Sequence, residues 1–319
     1  MNSSASSPKA IKLALQGGGA HGAFTWGVLD RILADRRLRI EAISGTSAGA
    51  MNAVALADGW VRGGPEEARA SLEHFWRRVS DAALYSPVRR SWIDRLFGNW
   101  SLEHSPAFLA FDALTRAASP YQLNPLNMNP LLDLVADTVD FERVRACSDI
   151  RLFVAATNVE SGRVRVFEGR ELTAPMVMAS ACLPQLFRAI EIDGVAYWDG
   201  GYMGNPVLFP FFDGEESSDV LIVQINPVFR RGVPRTAAEI QNRVDEIAFN
   251  ASLLKDLRVV DFVRRLIEAG RLEAGEYQRV RVHRIHDAKT LVPLGSSSKL
   301  NAEWAFLTSL RDAGRRAAD

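Results

Sequence analysis

Apolar and polar residues follow one another along this chain in blocks that predict strands and helices in alternation. Five short apolar runs have the length of buried strands, at 11–15, 40–44, 151–157, 164–167 and 220–225. The first two runs are each followed by a helical pattern, at 20–37 and 48–57. Because strands and helices alternate at this spacing, we predict an α/β fold with a mainly parallel sheet and helices on both faces.

Further along the chain the patterns are more varied. Helices are predicted at 131–139, 173–181, 236–272 and 298–316, and a late strand at 280–285. The run at 190–198 has Asp193-Gly194 at its centre, a dipeptide typical of a tight β-hairpin turn. The last helix carries an apolar stripe through Trp304, Leu307 and Leu310.

The distribution of proline and aromatic residues suggests how the chain is organised. Residues 1–10 are polar and predicted to be flexible, and 11–319 are predicted to form a single domain. Within it, 58–149 contains six prolines and many aromatic residues, which indicates a cap-like insert of short helices and loops. Residues 236–319 are predicted to be a helical C-terminal extension that includes the late strand.

Charge and composition narrow the classes of function. Lys plus Arg and Asp plus Glu both number 38, so there is no basic excess and we expect no nucleic-acid partner. The N-terminus lacks the apolar stretch of a signal peptide, and no window is apolar enough to span a membrane. We therefore expect a cytoplasmic protein, with peripheral contact to membranes left open.

The segment Gly45-Thr46-Ser47-Ala48-Gly49 fits the Gly-x-Ser-x-Gly nucleophile elbow. In that elbow a serine occupies a strained turn between a strand and a helix, and small neighbours let the two elements approach. The helix that follows points the positive end of its dipole towards Ser47. The alternative is an ordinary tight turn in which Ser47 only caps the helix.

The glycine-rich segment at 17–22 follows the first strand and admits three interpretations. Amides around Gly18 and Gly19 could form an oxyanion hole. Gly17, Gly19 and Gly22 also fit the dinucleotide fingerprint, which requires an acidic residue at the end of the second strand. The only nearby acid, Glu41, lies at the beginning of that strand, so we favour the oxyanion hole. The third possibility is that the glycines merely allow two segments to cross.

A serine nucleophile needs a base, and Asp199 is the strongest candidate. It precedes two glycines, ends the predicted hairpin and follows two aromatic residues, so a partly dry pocket could raise its pKa. The alternative is a simple turn aspartate. The five histidines, His21, His74, His104, His283 and His286, have no motif that indicates a base.

These three segments resemble the signatures of the patatin-like phospholipases. The matching sequences are LQGGGAHG at 15–22, GTSAG at 45–49 and DGG at 199–201, and 179–187 resembles a further Ser-x-x-x-Pro-x-x-Phe segment of that family. The resemblance implies a three-layer α/β/α sandwich and lipid acyl hydrolase activity that requires no metal or other cofactor.

The resemblance also implies roles for individual residues. Ser47 would be the nucleophile and Asp199 the base of a dyad without histidine. Gly17, Gly18 and Gly19 would form the oxyanion loop, and the supporting residues would be His21, Gly45, Gly49, Gly200 and Gly201. His21 departs from the pattern, since Arg or Lys is frequent there, so activity could depend on protonation of His21.

Several functions remain open at this stage. The first is a phospholipase A-type enzyme or esterase that acts on phospholipids or glycerolipids through an acyl-enzyme. The alternatives are a thioesterase or short-chain esterase with soluble substrates, and a non-catalytic lipid-binding protein. Trp92, Phe97 and Trp100, beside Arg89, Arg90 and Arg95, could either contact an anionic bilayer or pack the insert onto the core. The oligomeric state is left open.

Overall fold

The computed structural model describes residues 7–84, 86, 88–212, 217–272 and 277–319. Within these residues eight strands form one sheet. The strands are β1 (Lys9–Leu15), β2 (Leu38–Gly45), β3 (Arg151–Asn158), β4 (Val164–Glu168), β5 (Ile190–Ile192), β6 (Val195–Asp199), β7 (Asp219–Val223) and β8 (Arg281–Ile285). The helices are α1 (Gly22–Asp35), α2 (Ala48–Ala83), α3 (Trp92–Leu96), α4 (Pro106–Ala117), α5 (Pro120–Leu123), α6 (Pro130–Thr138), α7 (Phe141–Ala146), α8 (Ala174–Ser180), α9 (Ala237–Glu268), α10 (Ala288–Leu291) and α11 (Trp304–Ala318).

The sheet is mixed, with a parallel centre. Its order is β5-β6-β3-β2-β1-β7-β8, and β4 pairs with β3 beside this path. The pairs from β3 through β2, β1 and β7 to β8 are parallel, whereas β4, β5 and β6 pair in antiparallel fashion. Asp193 and Gly194, at the turn between β5 and β6, both have positive φ, as the predicted tight hairpin requires.

Two hydrophobic cores lie on opposite faces of the sheet. Leu13 and Leu15 of β1 belong to the larger core, which α1, α2, α6, α8 and α11 cover. Ala14 belongs to the smaller core, to which Leu253 of α9 contributes. Because side chains of a strand alternate between faces, this division confirms the predicted α/β fold with helices on both sides of a mainly parallel sheet.

The region after the second predicted helix differs from the sequence-based expectation. The helix was expected to end at 57 and short helices to follow, but α2 continues to Ala83. Its backbone is non-helical only at Gly63 and Gly64, directly before Pro65. The sequence pattern did not indicate this continuation, because Pro65 is the first of the prolines that predict the insert, whereas the second half of α2 buries Leu72, Phe75 and Trp76 in the core. The short helices of the insert therefore begin only at α3.

The C-terminal residues are packed into the sheet and its covering layer. Strand β8 pairs with β7, and α11 packs against α1. The two helices approach so closely that a Cβ added at Gly27 would lie 1.9 Å from the carbonyl oxygen of Arg311. The closing helix begins at Trp304 and not at 298 as predicted, because 296–300 form a 3-10 turn. The division into a domain with an insert and an extension stays a prediction.

No helix in the described part of the chain combines the length and the apolar run that crossing a bilayer requires.

Candidate active site

Ser47 lies at the turn between β2 and α2 in a strained backbone conformation. Its φ is 54° and its ψ is −123°, which is rare for a residue with a side chain. The two motif glycines allow the close approach around it, because a Cβ at Gly45 would lie 2.7 Å from the carbonyl carbon of Gly49. The N–H of Ser47 donates to the Ser180 hydroxyl oxygen at 2.9 Å. This geometry is compatible with the nucleophile elbow that the sequence predicts.

The sheet topology brings Asp199 to the same place. Strand β4 pairs with 153–157 of β3 and occupies one edge of that strand. Strand β2 pairs with 151–154 and β6 with 156–158, so these two strands follow each other along the opposite edge. Asp199 ends β6 just beyond the carboxyl end of β2, where the chain turns into Ser47.

Asp199 is buried near Ser47. Its side chain accepts a hydrogen bond of 2.7 Å from the Gly201 N–H, and the Ser47 side chain is close enough to lower its pKa. Only 1% of the residue is exposed. Burial raises the pKa of Asp199 to about 7, although the Gly201 hydrogen bond, the Ser47 side chain and the charge of Lys299 oppose the rise. A carboxyl with this pKa can both accept and return a proton near neutral pH.

The glycine loop lies against Ser47, but its three glycines differ. A Cβ at Gly17 would lie 2.6 Å from the Ser47 Cβ, so only glycine fits there. The Gly17 N–H donates to the Asn205 side-chain oxygen at 2.7 Å and is therefore engaged. Among the described residues, the Gly18 and Gly19 N–H groups have no acceptor. Of the three glycines predicted to form the oxyanion loop, Gly18 and Gly19 thus have available N–H donors, and the oxyanion role itself stays a prediction.

A buried network of side-chain amides holds this loop in position. The Gln16 side-chain oxygen accepts from the backbone N–H groups of Ile225 and Asn226 at 3.0 and 2.9 Å. Asn226 in turn donates to the Gly17 carbonyl at 2.7 Å. On the other side, Gln16 donates to Asn250 at 3.1 Å. These amides could not be predicted from the sequence, because they lie far apart along the chain and share no motif.

His21 is buried beside the loop and is neutral. Its Nε2 lies 2.8 Å from the Ser298 hydroxyl, which itself donates to the Gly295 carbonyl. Nε2 must therefore carry the proton and donate to Ser298. Burial, together with the charges of Lys299 and Arg230, lowers the pKa of His21 to about 3. Burial therefore argues against the expected dependence of activity on His21 protonation near neutral pH.

The other histidines have partners away from Ser47. His104 binds Asp94 at 2.7 Å, His283 binds Asp219 at 2.7 Å, and His286 binds the Gln224 carbonyl at 3.0 Å. His74 is exposed on α2. In the described ranges, no three His, Cys, Asp or Glu side chains converge as ligands of a metal ion would.

The dinucleotide interpretation finds no support in the position of Glu41. This residue lies in the middle of β2, where it accepts a hydrogen bond from the Ser217 N–H at 3.0 Å. A ribose-binding acid would have to lie at the carboxyl end of that strand. That end of β2 leads instead into Ser47.

Comparison with known proteins agrees with this fold. A profile of the patatin-like phospholipase family matches residues 13–212. The chain therefore belongs to the patatin-like phospholipase family, whose members are lipid hydrolases. No curated protein sequence matches the chain.

Among solved structures, the fold is similar to those of two bacterial proteins. VipD from Legionella pneumophila is 16% identical with a TM-score of 0.40, and the match covers 96% of this chain and 67% of VipD. ExoU from Pseudomonas aeruginosa, solved in complex with SpcU, is 18% identical with a TM-score of 0.34. That match covers 81% of this chain and 53% of ExoU, so the chain corresponds to about half of ExoU.

Proposed function

We propose that this protein is a lipid acyl hydrolase that cleaves carboxylic ester bonds of phospholipids or glycerolipids. One observation carries the proposal: a serine in a strained backbone turn lies beside a buried carboxyl whose pKa is raised to about 7. In this proposal Ser47 is the nucleophile and Asp199 the general base. Membership of a family of lipid hydrolases supports a lipid substrate.

The proposed reaction proceeds in two steps, acylation of Ser47 and hydrolysis of the acyl-enzyme. Ser47 Oγ attacks the ester carbonyl carbon while its proton passes to Asp199, and the N–H groups of Gly18 and Gly19 hold the resulting oxyanion. The tetrahedral intermediate then breaks its bond to the alcohol oxygen, which takes the proton from Asp199 and leaves. In the second step Asp199 removes a proton from water, the hydroxide adds to the acyl carbon, and Ser47 recovers its proton as the fatty acid departs.

The burial of Asp199 is central to this mechanism. An exposed aspartate is a weak base with a pKa far below neutrality, whereas a pKa near 7 matches proton transfer at physiological pH. The hydrogen bond from Gly201 fixes the carboxyl orientation relative to Ser47. The same glycine packs closely against Phe249, which helps to exclude water.

The test is the release of fatty acid from mixed phospholipid vesicles by wild type, Ser47→Ala and Asp199→Asn, with a chelator present. We expect turnover by wild type and its loss in both variants. If Ser47→Ala released fatty acid as fast as wild type, the proposed Ser47–Asp199 dyad would be refuted. If wild type hydrolyses soluble acyl thioesters or short esters in parallel assays but not the vesicles, a soluble substrate would replace the lipid.

We also propose that α3 contacts the membrane. Trp92, Leu96 and Phe97 are 74%, 71% and 78% exposed, which is unusual for residues of this size. Trp100, by contrast, stacks on Phe306 at 5.0 Å between ring centroids and packs the insert onto the core. The aromatic residues of the insert therefore serve two roles, and the exposed side chains of α3 are suited to the bilayer interface.

A further inference from the structure

Lys299 approaches the site from a segment outside the region that the family profile matches. It lies in the 3-10 turn Ser296–Leu300 and is partly buried. Its Nζ donates to the Asn226 side-chain oxygen at 2.9 Å and lies 5.6 Å from the centre of the Phe249 ring. Its backbone carbonyl packs against Gly19, since a Cβ there would lie 2.4 Å from that oxygen.

These contacts place the ammonium between the two halves of the site. Asn226 is bonded to the Gly17 carbonyl and so belongs to the glycine loop. Phe249 packs against Gly201, whose N–H binds Asp199. The positive charge of Lys299 affects groups in both halves of the site. It helps to lower the pKa of His21, and it also lowers the pKa of Asp199 against the larger effect of burial.

The bonding of Lys299 is incomplete for a cation that is partly removed from water. An ammonium group has three N–H donors, and the contacts found supply one neutral amide oxygen and one aromatic face. In the described part of the chain, no carboxylate lies within 4.0 Å of its Nζ. The neighbouring cation Arg230 is different, because it is paired with Glu246 at 2.6 Å. Lys299 thus retains donors for an anion that enters the site.

We propose that Lys299 determines substrate specificity by binding the phosphate group of a phospholipid whose ester lies at Ser47. This inference rests on the proposed function and specifies its substrate class as phosphate-bearing acylglycerols. The phosphate oxygens would accept the donors of Lys299 that the protein leaves unused, in a charge-assisted hydrogen bond. A neutral ester would bind at Ser47 without this interaction.

The test compares two substrates with the same acyl chains. Phosphatidylcholine and diacylglycerol are each presented in neutral detergent micelles, so that attraction to a charged surface is equal in both assays. Rates are measured at pH 8, where Asp199 is mostly ionised, for wild type, Lys299→Met and Lys299→Arg; a higher pH is avoided because burial lowers the pKa of Lys299. We expect Lys299→Met to lower kcat/KM for phosphatidylcholine by roughly tenfold to a hundredfold relative to diacylglycerol, the effect of one charge-assisted hydrogen bond. Lys299→Arg should restore most of the preference.

Lys255→Met serves as the matched control, because it removes an exposed lysine of α9 without touching the site. It should leave the ratio of the two rates unchanged. An equal loss on both substrates in Lys299→Met would overturn the proposal and indicate a structural role for Lys299. No loss on either substrate would also overturn it. If wild type hydrolyses neither substrate, or if Ser47→Ala hydrolyses both as wild type does, the proposed function itself fails.

Discussion

The substitution Asp199→Asn should make the protein more stable while it abolishes the proposed activity. Asp199 has an ordinary pKa of 3.8 when the chain is unfolded and a pKa of about 7 in the folded protein, because burial disfavours its charge. Asn keeps an oxygen for the Gly201 N–H and carries no charge. The substitution therefore removes the cost of burying a carboxylate, and it leaves the hydrogen bond to Gly201 in place.

The pKa difference sets the magnitude and its pH dependence. A difference of about three pKa units corresponds to about 4 kcal/mol in the free energy of unfolding. Between these two pKa values the unfolded chain ionises and the folded protein stays protonated, so wild type loses stability as the pH rises. This cost is about 1.5 kcal/mol at pH 5 and reaches its full value of about 4 kcal/mol near pH 8. Below pH 4 it vanishes.

Urea unfolding of both proteins at pH 5, 6, 7 and 8 measures the effect. The advantage of Asp199→Asn should grow by about 2.5 kcal/mol across this range. The contributions of other titrating groups to the free energy of unfolding cancel, because both proteins are compared at each pH. The control Asp137→Asn removes an exposed carboxylate of α6 and should follow the wild-type curve. An advantage that stays constant from pH 5 to pH 8 would refute the assignment of a buried, protonated Asp199.

Three further predictions concern activity, membrane contact and packing. Hydrolysis of a soluble ester should fall as the pH drops through about 7, because the base Asp199 must be ionised. The variant His21→Gln should show the same midpoint of the pH profile, and a shifted midpoint would mean that His21 titrates in this range. Replacement of both Trp92 and Phe97 by Ser should reduce the fraction of protein that sediments with anionic vesicles, while turnover of a soluble ester stays unchanged. An unchanged sedimenting fraction would exclude these side chains as the membrane contact. Gly27→Ala should lower the free energy of unfolding by roughly 1–3 kcal/mol because α1 and α11 must separate. Gly169→Ala, where a Cβ would have ordinary contacts, is its control in urea unfolding, and equal losses in both would contradict the packing argument.

Local sequence determined much of the fold and identified the reactive segments. Short apolar runs followed by helical patterns were sufficient for the α/β class, because strand and helix periodicities are local properties. The turn at Asp193-Gly194 and the glycines around Ser47 could be predicted because steric limits on the backbone act within a few residues. Pro65 counted towards the predicted insert, yet it lies inside α2, since a helix can resume after a break when its second half is buried.

The tertiary structure alone decided how these segments work together. The shared edge of β3 brings Asp199 to Ser47, and burial there moves its pKa towards neutrality. The engagement of the Gly17 N–H by Asn205 leaves Gly18 and Gly19 as the available donors. Lys299 reaches the site from the far end of the chain and carries no local motif. Desolvation and long-range contacts depend on which residues surround a group in space, and that information is absent from any short stretch of sequence.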